Sequence, residues 1–178
     1  MLAALGAART AAQPPSPPLG IGRAATAEDI RALDIDVMPD GRGLPAGRGT
    51  VADGEAVYSA KCASCHGTKG AGGTAERLAG RTPGDTSAFA TDASLVRTIG
   101  SYWPYATTLY DYTARAMPFQ RPGTLTPDET YALVAYLLFL NGVIAEDAVM
   151  DQSSLPKVRM PARDRFVPDN RRGGRAVR

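Results

Sequence analysis

The sequence predicts an all-α protein in which helices surround a central feature and extended arms flank them at both ends. Two helical patterns carry this prediction. One runs from Thr50 into a pair of cysteines, and the other follows Thr126. The third observation is that the apolar–polar alternation typical of strands is weak along the 178 residues, a length that suits one domain with extensions.

The first predicted helix is "TVADGEAVYSAKCASCH", residues 50–66. Thr50 or Asp53 can cap its start, because a side-chain oxygen there accepts from an unpaired backbone amide of the first turn. Val57 and Lys61 lie one turn apart, and Ala56, Val57 and Ala60 give an apolar stripe. This helix is therefore expected to lead directly into the cysteines.

The second predicted helix is "TPDETYALVAYLLFLNG", the clearest element of the chain. Thr126 and Glu129 form a Thr-x-x-Glu capping box, and Pro127 occupies the first helical position. Leucines and tyrosines recur at helical spacing, and Gly142 is a natural stop. The apolar run is shorter than the roughly 18 residues of a membrane span and contains Asn141, so we interpret it as a buried helix.

Further elements are predicted between these two helices. They are a Gly-rich loop over 67–73, a short helix from Thr91 or Asp92 through Thr98, and a helix over Tyr105–Arg115. The stretch "AMPFQRPG" is predicted to be a loop because Pro118 and Pro122 interrupt any helix there.

We divide the chain into four segments. These are a leader and Pro-rich linker over 1–19, an N-terminal extension packing on the core over 20–50, the helical domain over 51–145, and a C-terminal arm over 146–178 with a disordered end. The leader is either the remains of a secretory signal or a flexible segment, since no basic region precedes its apolar part. The formal charge of +2 is too small to indicate a nucleic-acid partner.

The stretch "KCASCHGTKG", residues 61–70, holds both cysteines and the only histidine of the chain. A redox Cys-x-x-Cys follows a strand in a βαβ unit, whereas a helical pattern leads in here. A structural zinc site needs four ligands, and the chain has only three Cys and His residues. Cys-x-x-Cys-His is the signature of covalent haem attachment, with Cys62 and Cys65 as thioethers and His66 as the iron ligand.

The iron of an electron-transfer haem at this position needs a sixth ligand. No second histidine exists, so a six-coordinate electron-transfer haem requires a methionine. Met117 is the best placed, because it lies in the loop between the two predicted helices and Pro118 stiffens that loop. Three further methionines lie in the arms as lesser candidates, namely Met38, Met150 and Met160.

Aromatic residues are concentrated just before Met117. Five of the twelve Phe, Trp and Tyr residues fall between positions 102 and 112. Aromatic residues most often belong to an ordinary core, but Trp and Tyr also suit a haem wall, because the ring packs while a polar atom reaches outward. We predict Trp103 and Tyr102 as haem contacts.

Over residues 51–142 the sequence resembles class I cytochrome c. Gly54 and Tyr58 match that family's Gly-x-x-x-aromatic pattern, in which the helix before the haem motif crosses a C-terminal helix, and the family's Met-Pro supplies the sixth ligand. The resemblance implies a class I cytochrome c fold around one haem c. Glu76 stands where many relatives have a proline whose carbonyl accepts the Nδ1–H of the iron-binding histidine, so that acceptor is left open.

A narrower resemblance spans about residues 20–170. The stretches "GSYWPYATTLYDYTARAMPF" and "LPKVRMPARDRFVPD" are similar to the cytochrome subunit of sulfite or sulfane dehydrogenases of the Sox system. This implies a periplasmic electron-transfer subunit that is not itself the enzyme, bound to a molybdenum-cofactor subunit and passing electrons to a soluble cytochrome c. The alternatives are a general periplasmic electron shuttle, and a haem enzyme or sensor with a displaceable sixth ligand.

Overall fold

The computed structural model describes residues 20–80, 89, 91–92 and 94–167. The predicted leader over 1–19 and the last residues of the C-terminal arm, 168–178, lie outside this range. The described residues divide into two compact units, one ending at Asp34 and the other beginning at Ile35.

Six α-helices and two short strands are found in these residues. In chain order they are α1 (Ala27–Leu33), β1 (Arg48–Thr50), α2 (Val51–Lys61), α3 (Ala63–His66), α4 (Ile99–Tyr102), α5 (Ala106–Ala116), α6 (Pro127–Leu140) and β2 (Val149–Asp151). Single 3₁₀ turns occur at Thr68–Gly70, Leu155–Lys157 and Arg163–Arg165. The regular structure of the described ranges is thus helical apart from one small sheet, in agreement with the predicted class.

Helix α1 belongs to the first unit. Thr26 and Asp29 form a reciprocal capping box at its start, and Arg23 pairs with the Asp29 carboxylate. None of the seven residues of α1 is buried. Local caps, rather than packing, therefore define this helix.

The second unit is built around α6, which is buried along most of its length. Its start is the predicted capping box, with the Thr126 hydroxyl accepting from the Glu129 amide and the Glu129 carboxylate accepting from the Thr126 amide. Residues 130–138 are all buried, and Asn141 follows as the C-cap. The prediction of this helix is confirmed. No helix within the described ranges is long and apolar enough to cross a membrane.

Helix α2 crosses α6 in direct backbone contact. A Cβ atom placed on Gly54 of α2 would lie 1.9 Å from the carbonyl oxygen of Ala132. Strand β1, which precedes α2, is almost as close, since a Cβ atom placed on its Gly49 would lie 2.1 Å from the Ala132 amide nitrogen. Only a residue without a side chain fits at such a separation. The Gly-x-x-x-aromatic pattern is thus explained, since Tyr58 lies one turn further along and packs on Tyr136 with ring centroids 5.4 Å apart.

The segments flanking the central helices contribute to the same core. Strands β1 and β2 pair in antiparallel fashion with Gly49 opposite Met150. Leu44, Leu155 and Met160 are almost fully buried. The sequence did not predict this sheet, because strands of three residues are too short to display a period of two.

The middle of the chain departs from the prediction at one element. The predicted helix ending at Thr98 is wrong, because Thr98 is instead the N-cap of α4, where its hydroxyl accepts from the Ser101 amide. The Asp92 carboxylate accepts hydrogen bonds from the amide and the hydroxyl of Ser94, which makes a local turn in place of a helix cap. The next helix, α5, begins at Ala106, one residue later than expected.

Candidate haem site

A cavity of about 550 Å³ lies in the second unit, within the size range of cofactor pockets. Its lining brings together Cys62, Cys65, His66, Trp103 and Met117. The rest of the lining combines an aliphatic patch with polar and charged side chains, among them Arg77 and Arg97. The aliphatic patch consists of Leu78, Ile99, Leu109, Leu133 and Leu137. Five of the six predicted site residues therefore meet in one place.

His66 is oriented by a hydrogen bond from its ring. Its Nδ1 lies 2.8 Å from the carbonyl oxygen of Glu76. A carbonyl can only accept, so Nδ1 carries the proton and Nε2 keeps its lone pair for a metal. This arrangement is usual for histidine ligands, whose other ring nitrogen donates to a protein oxygen. The acceptor that the sequence left open is therefore the Glu76 backbone.

The two cysteines follow α2 without a break. The Cys62 amide ends that helix by donating to Tyr58, and the Cys62 carbonyl then accepts from the amides of Cys65 and His66. Burial raises the pKa of the Cys62 thiol to about 11. Burial favours the uncharged form, and a thioether at this position would also be uncharged.

Two contacts fix the last turn of α2. Lys61 donates to Glu129 over 2.5 Å, which ties the end of α2 to the start of α6. The Tyr58 hydroxyl donates to the Gly67 carbonyl over 2.8 Å, just after His66. Burial, the largest cause, raises the pKa of Tyr58 to about 12, so this hydroxyl keeps its proton at neutral pH. The haem motif is thus held on both sides.

Met117 reaches the cavity from the end of α5. It is the C-cap of that helix, with extended backbone, and its amide donates to the Thr113 carbonyl. The other candidate methionines lie elsewhere. Met150 is buried in β2, Met160 is buried among the core residues, and Met38 is half-exposed; none of the three lines the cavity.

Some of the aromatic residues between positions 102 and 112 line the cavity, and another packs elsewhere. Trp103 lines the cavity together with Tyr112, and the two rings pack edge to face with centroids 5.7 Å apart. Tyr102 does not line the cavity, because its ring packs between Phe89 and Phe166 with centroid distances of 5.2 and 5.5 Å. Tyr102 is the last residue of α4, whereas Trp103 is its C-cap with extended backbone, so these neighbours in sequence face different surroundings.

Sequence reasoning missed the aliphatic patch of the cavity, and it chose Tyr102 from the aromatic cluster where the structure places Tyr112. Leu133 and Leu137 lie four residues apart on α6 and therefore share one face of that helix. Their spacing was visible in the sequence, but it does not reveal whether such a face packs against protein or lines a cofactor cavity. Only the distant segments that complete the cavity make that distinction.

Residues 49–137 match the family model described as cytochrome c oxidase, cbb3-type, subunit III. The chain is also similar to a chain in the crystal structure of the sulfane dehydrogenase SoxCD from Paracoccus pantotrophus. The identity is 46%, the TM-score is 0.74, and the match covers 86% of this chain and 73% of that chain. No curated protein matches the sequence. The chain therefore belongs to the cytochrome c family that this model describes.

The class I cytochrome c fold expected from the sequence is confirmed by these matches. The cytochrome carries covalent haem c, and the donor set fits that group. Two thiols, an imidazole that donates through Nδ1 and a thioether line a single cavity with a mainly apolar surface. When bound, the haem supplies one-electron chemistry through its iron. The protein is an electron-transfer cytochrome.

Proposed function

We propose that this cytochrome is the electron-accepting subunit of a molybdenum-dependent sulfite or sulfane dehydrogenase. The observation that carries the proposal is the 46% identity to a chain of the sulfane dehydrogenase SoxCD, extending over 86% of this chain. Catalysis takes place on the molybdenum subunit, from which the cytochrome takes single electrons. It then passes them to a soluble cytochrome c in the periplasm.

The ligand assignment forms part of the proposal. Cys62 and Cys65 would hold the haem as thioethers, and His66 and Met117 would ligate its iron. Their presence in one cavity supports this assignment, as does the tautomer of His66 set by Glu76. With both ligands in place, no position would be left for a substrate, and the bound haem would supply electron exchange alone.

The rim of the cavity supports electron exchange with another protein. Phe119 and Tyr112 line the cavity and yet are 79% and 47% exposed. Large exposed apolar side chains at one place are typical of protein contact surfaces. An electron donor seated on this rim would lie close to the haem.

The partner is tested with the full-length holocytochrome and the molybdenum-cofactor subunit of the same source. We expect the two to copurify, and we expect sulfite or a sulfane-sulfur substrate to reduce the haem only when the molybdenum subunit is present. No copurification, together with equal haem reduction by unrelated donors, would instead indicate a general electron shuttle. Fractionation of cells that express the full-length protein tests the periplasmic location.

The axial ligand is tested by comparing Met117→Leu with Met160→Leu in the holoprotein. Both replace a methionine with a residue of similar volume, but only Met117 lines the cavity. We expect Met117→Leu to abolish the weak long-wavelength ferric absorption band of methionine-ligated haem, and Met160→Leu to retain it. Carbon monoxide binding by the unsubstituted protein would contradict the assignment and favour a haem enzyme or sensor.

A further inference from the structure

The side chain of Asn141, at the end of α6, is buried and hydrogen-bonds four backbone groups. Its Nδ2 donates to the carbonyls of Leu137 and Leu78 over 2.8 and 3.2 Å. Its Oδ1 accepts from the amides of Gly100 and Gly80 over 3.1 and 3.3 Å. Two donors and two lone pairs are all that this amide possesses, so its hydrogen-bonding capacity is fully used. The side chain joins three separate segments of the chain.

One of these segments leads directly to the iron-binding histidine. Glu76, whose carbonyl accepts the Nδ1–H of His66, lies two residues before Leu78. On the other side of Glu76, the Ala75 amide donates to the Cys65 carbonyl over 2.9 Å. The acceptor therefore lies on a short loop that is fastened at one end to the haem motif. At its other end the loop is held by Asn141 together with backbone bonds, since the Leu78 and Ala79 amides donate to the Gly70 carbonyl and the Ile99 amide donates to the Leu78 carbonyl.

Asn141 adds side-chain hydrogen bonds to this backbone attachment, and they matter because Glu76 does not restrict its own backbone. A glutamate has a free φ angle, and holding its carbonyl in one direction costs conformational entropy. The hydrogen bonds of Asn141 offset that cost. Gly100 allows the amide to approach closely, since a Cβ atom there would lie 2.7 Å from the Asn141 Oδ1.

We propose that Asn141 is a positioning residue that sets the reduction potential by holding the Glu76 carbonyl against His66. A firm Nδ1–H···O bond makes the imidazole a more basic ligand, which stabilises ferric iron relative to ferrous iron. When the loop is released the bond lengthens, the imidazole becomes less basic, and the potential rises. This inference requires the haem site but not the sulfur-oxidising partner.

The test uses the purified holocytochrome and the variant Asn141→Leu, which keeps the approximate volume and removes all four hydrogen bonds. Redox titration measures the potential, and NMR of the reduced, diamagnetic protein measures the hydrogen-exchange rate of the His66 Nδ1–H. We expect a higher potential and an exchange rate faster by roughly tenfold or more, because a buried hydrogen bond that limits local opening is lost.

The matched control is Tyr131→Phe. Tyr131 also lies on α6 and is fully buried, and its hydroxyl donates to the Pro45 carbonyl over 2.9 Å, but it does not line the cavity. This variant loses a buried hydrogen bond without touching the loop. We expect it to lower the free energy of unfolding while leaving the potential and the His66 exchange rate unchanged.

A gentler variant is Gly100→Ala, which retains the asparagine and places a methyl group against its Oδ1. We expect it to shift the potential and the exchange rate in the same direction as Asn141→Leu, by a smaller amount, and it decides the question if Asn141→Leu does not fold. Unchanged potential and exchange in the folded variants would overturn the proposal, as would an equal shift in Tyr131→Phe. All measurements are made on the cytochrome alone, so they remain separate from the copurification test.

Discussion

Replacing Gly54 with alanine tests whether α2 and α6 are in backbone contact. Intrinsic helix propensity favours alanine over glycine by about 1 kcal/mol in a helix interior. The added Cβ atom would lie 1.9 Å from the Ala132 carbonyl oxygen and 2.7 Å from the Tyr136 Cβ, so the helices must separate. Overpacking against backbone that cannot rotate away costs about 3 kcal/mol, the upper part of the usual range. The net expectation is a free energy of unfolding lower by about 2 kcal/mol.

The assay is guanidinium unfolding of the holoprotein, followed by far-ultraviolet circular dichroism. The control is Ala56→Gly, an exposed position on the same helix, where propensity alone predicts a loss of about 1 kcal/mol. The two substitutions are opposite in chemistry, yet both should destabilise the protein. If Gly54→Ala were as stable as the unsubstituted protein or more stable, the close crossing of α2 and α6 would be refuted.

Two further predictions concern the contacts of α2 with α6 and the aromatic wall. Hydrogen bonds from Lys61 and Thr126 lower the pKa of Glu129 below its ordinary value. The ionised carboxylate therefore stabilises the fold at any pH above the pKa that Glu129 has in the unfolded chain. That stabilisation is lost as the pH falls through the lower pKa of the folded protein. Glu129→Gln should therefore lower the free energy of unfolding by up to about 1 kcal/mol at neutral pH, and pH-dependent denaturation should show the difference vanishing in acid. Tyr112→Leu should alter the visible circular dichroism of the haem, whereas Tyr102→Leu should not; equal effects would contradict the separation of the two rings.

Local signals in the sequence were sufficient for several features of this protein. The capping box at Thr126 and Glu129 predicted the start of α6, because the groups that satisfy the first free amides lie within one turn. The Cys-x-x-Cys-His spacing predicted the covalent haem, since the two thiols and the imidazole lie within five positions of the sequence. Met117 was proposed by elimination, because the chain has no second histidine.

Features that depend on distant parts of the chain could not be predicted in this way. The spacing of Tyr102 and Tyr112 does not reveal which ring faces the cavity, and the short sheet arises from pairing across about 100 residues. The interruption by Asn141 argued only against a membrane span, whereas the structure shows four hydrogen bonds from it. The hydrogen-bond partners of an amide side chain cannot be predicted from the sequence when they lie in other segments.

The sequence by itself determined the cofactor, the family resemblance and the two main helices, because the residues responsible lie within a few turns of one another. Tertiary structure decided which carbonyl orients His66, which aromatic residues line the cavity, and how closely α2 approaches α6. The carbonyl that orients His66 lies in a nearby loop, but its direction depends on how that loop is held by other segments. The other two properties depend on distances between segments far apart in the chain. Such distances are set only when the whole core packs.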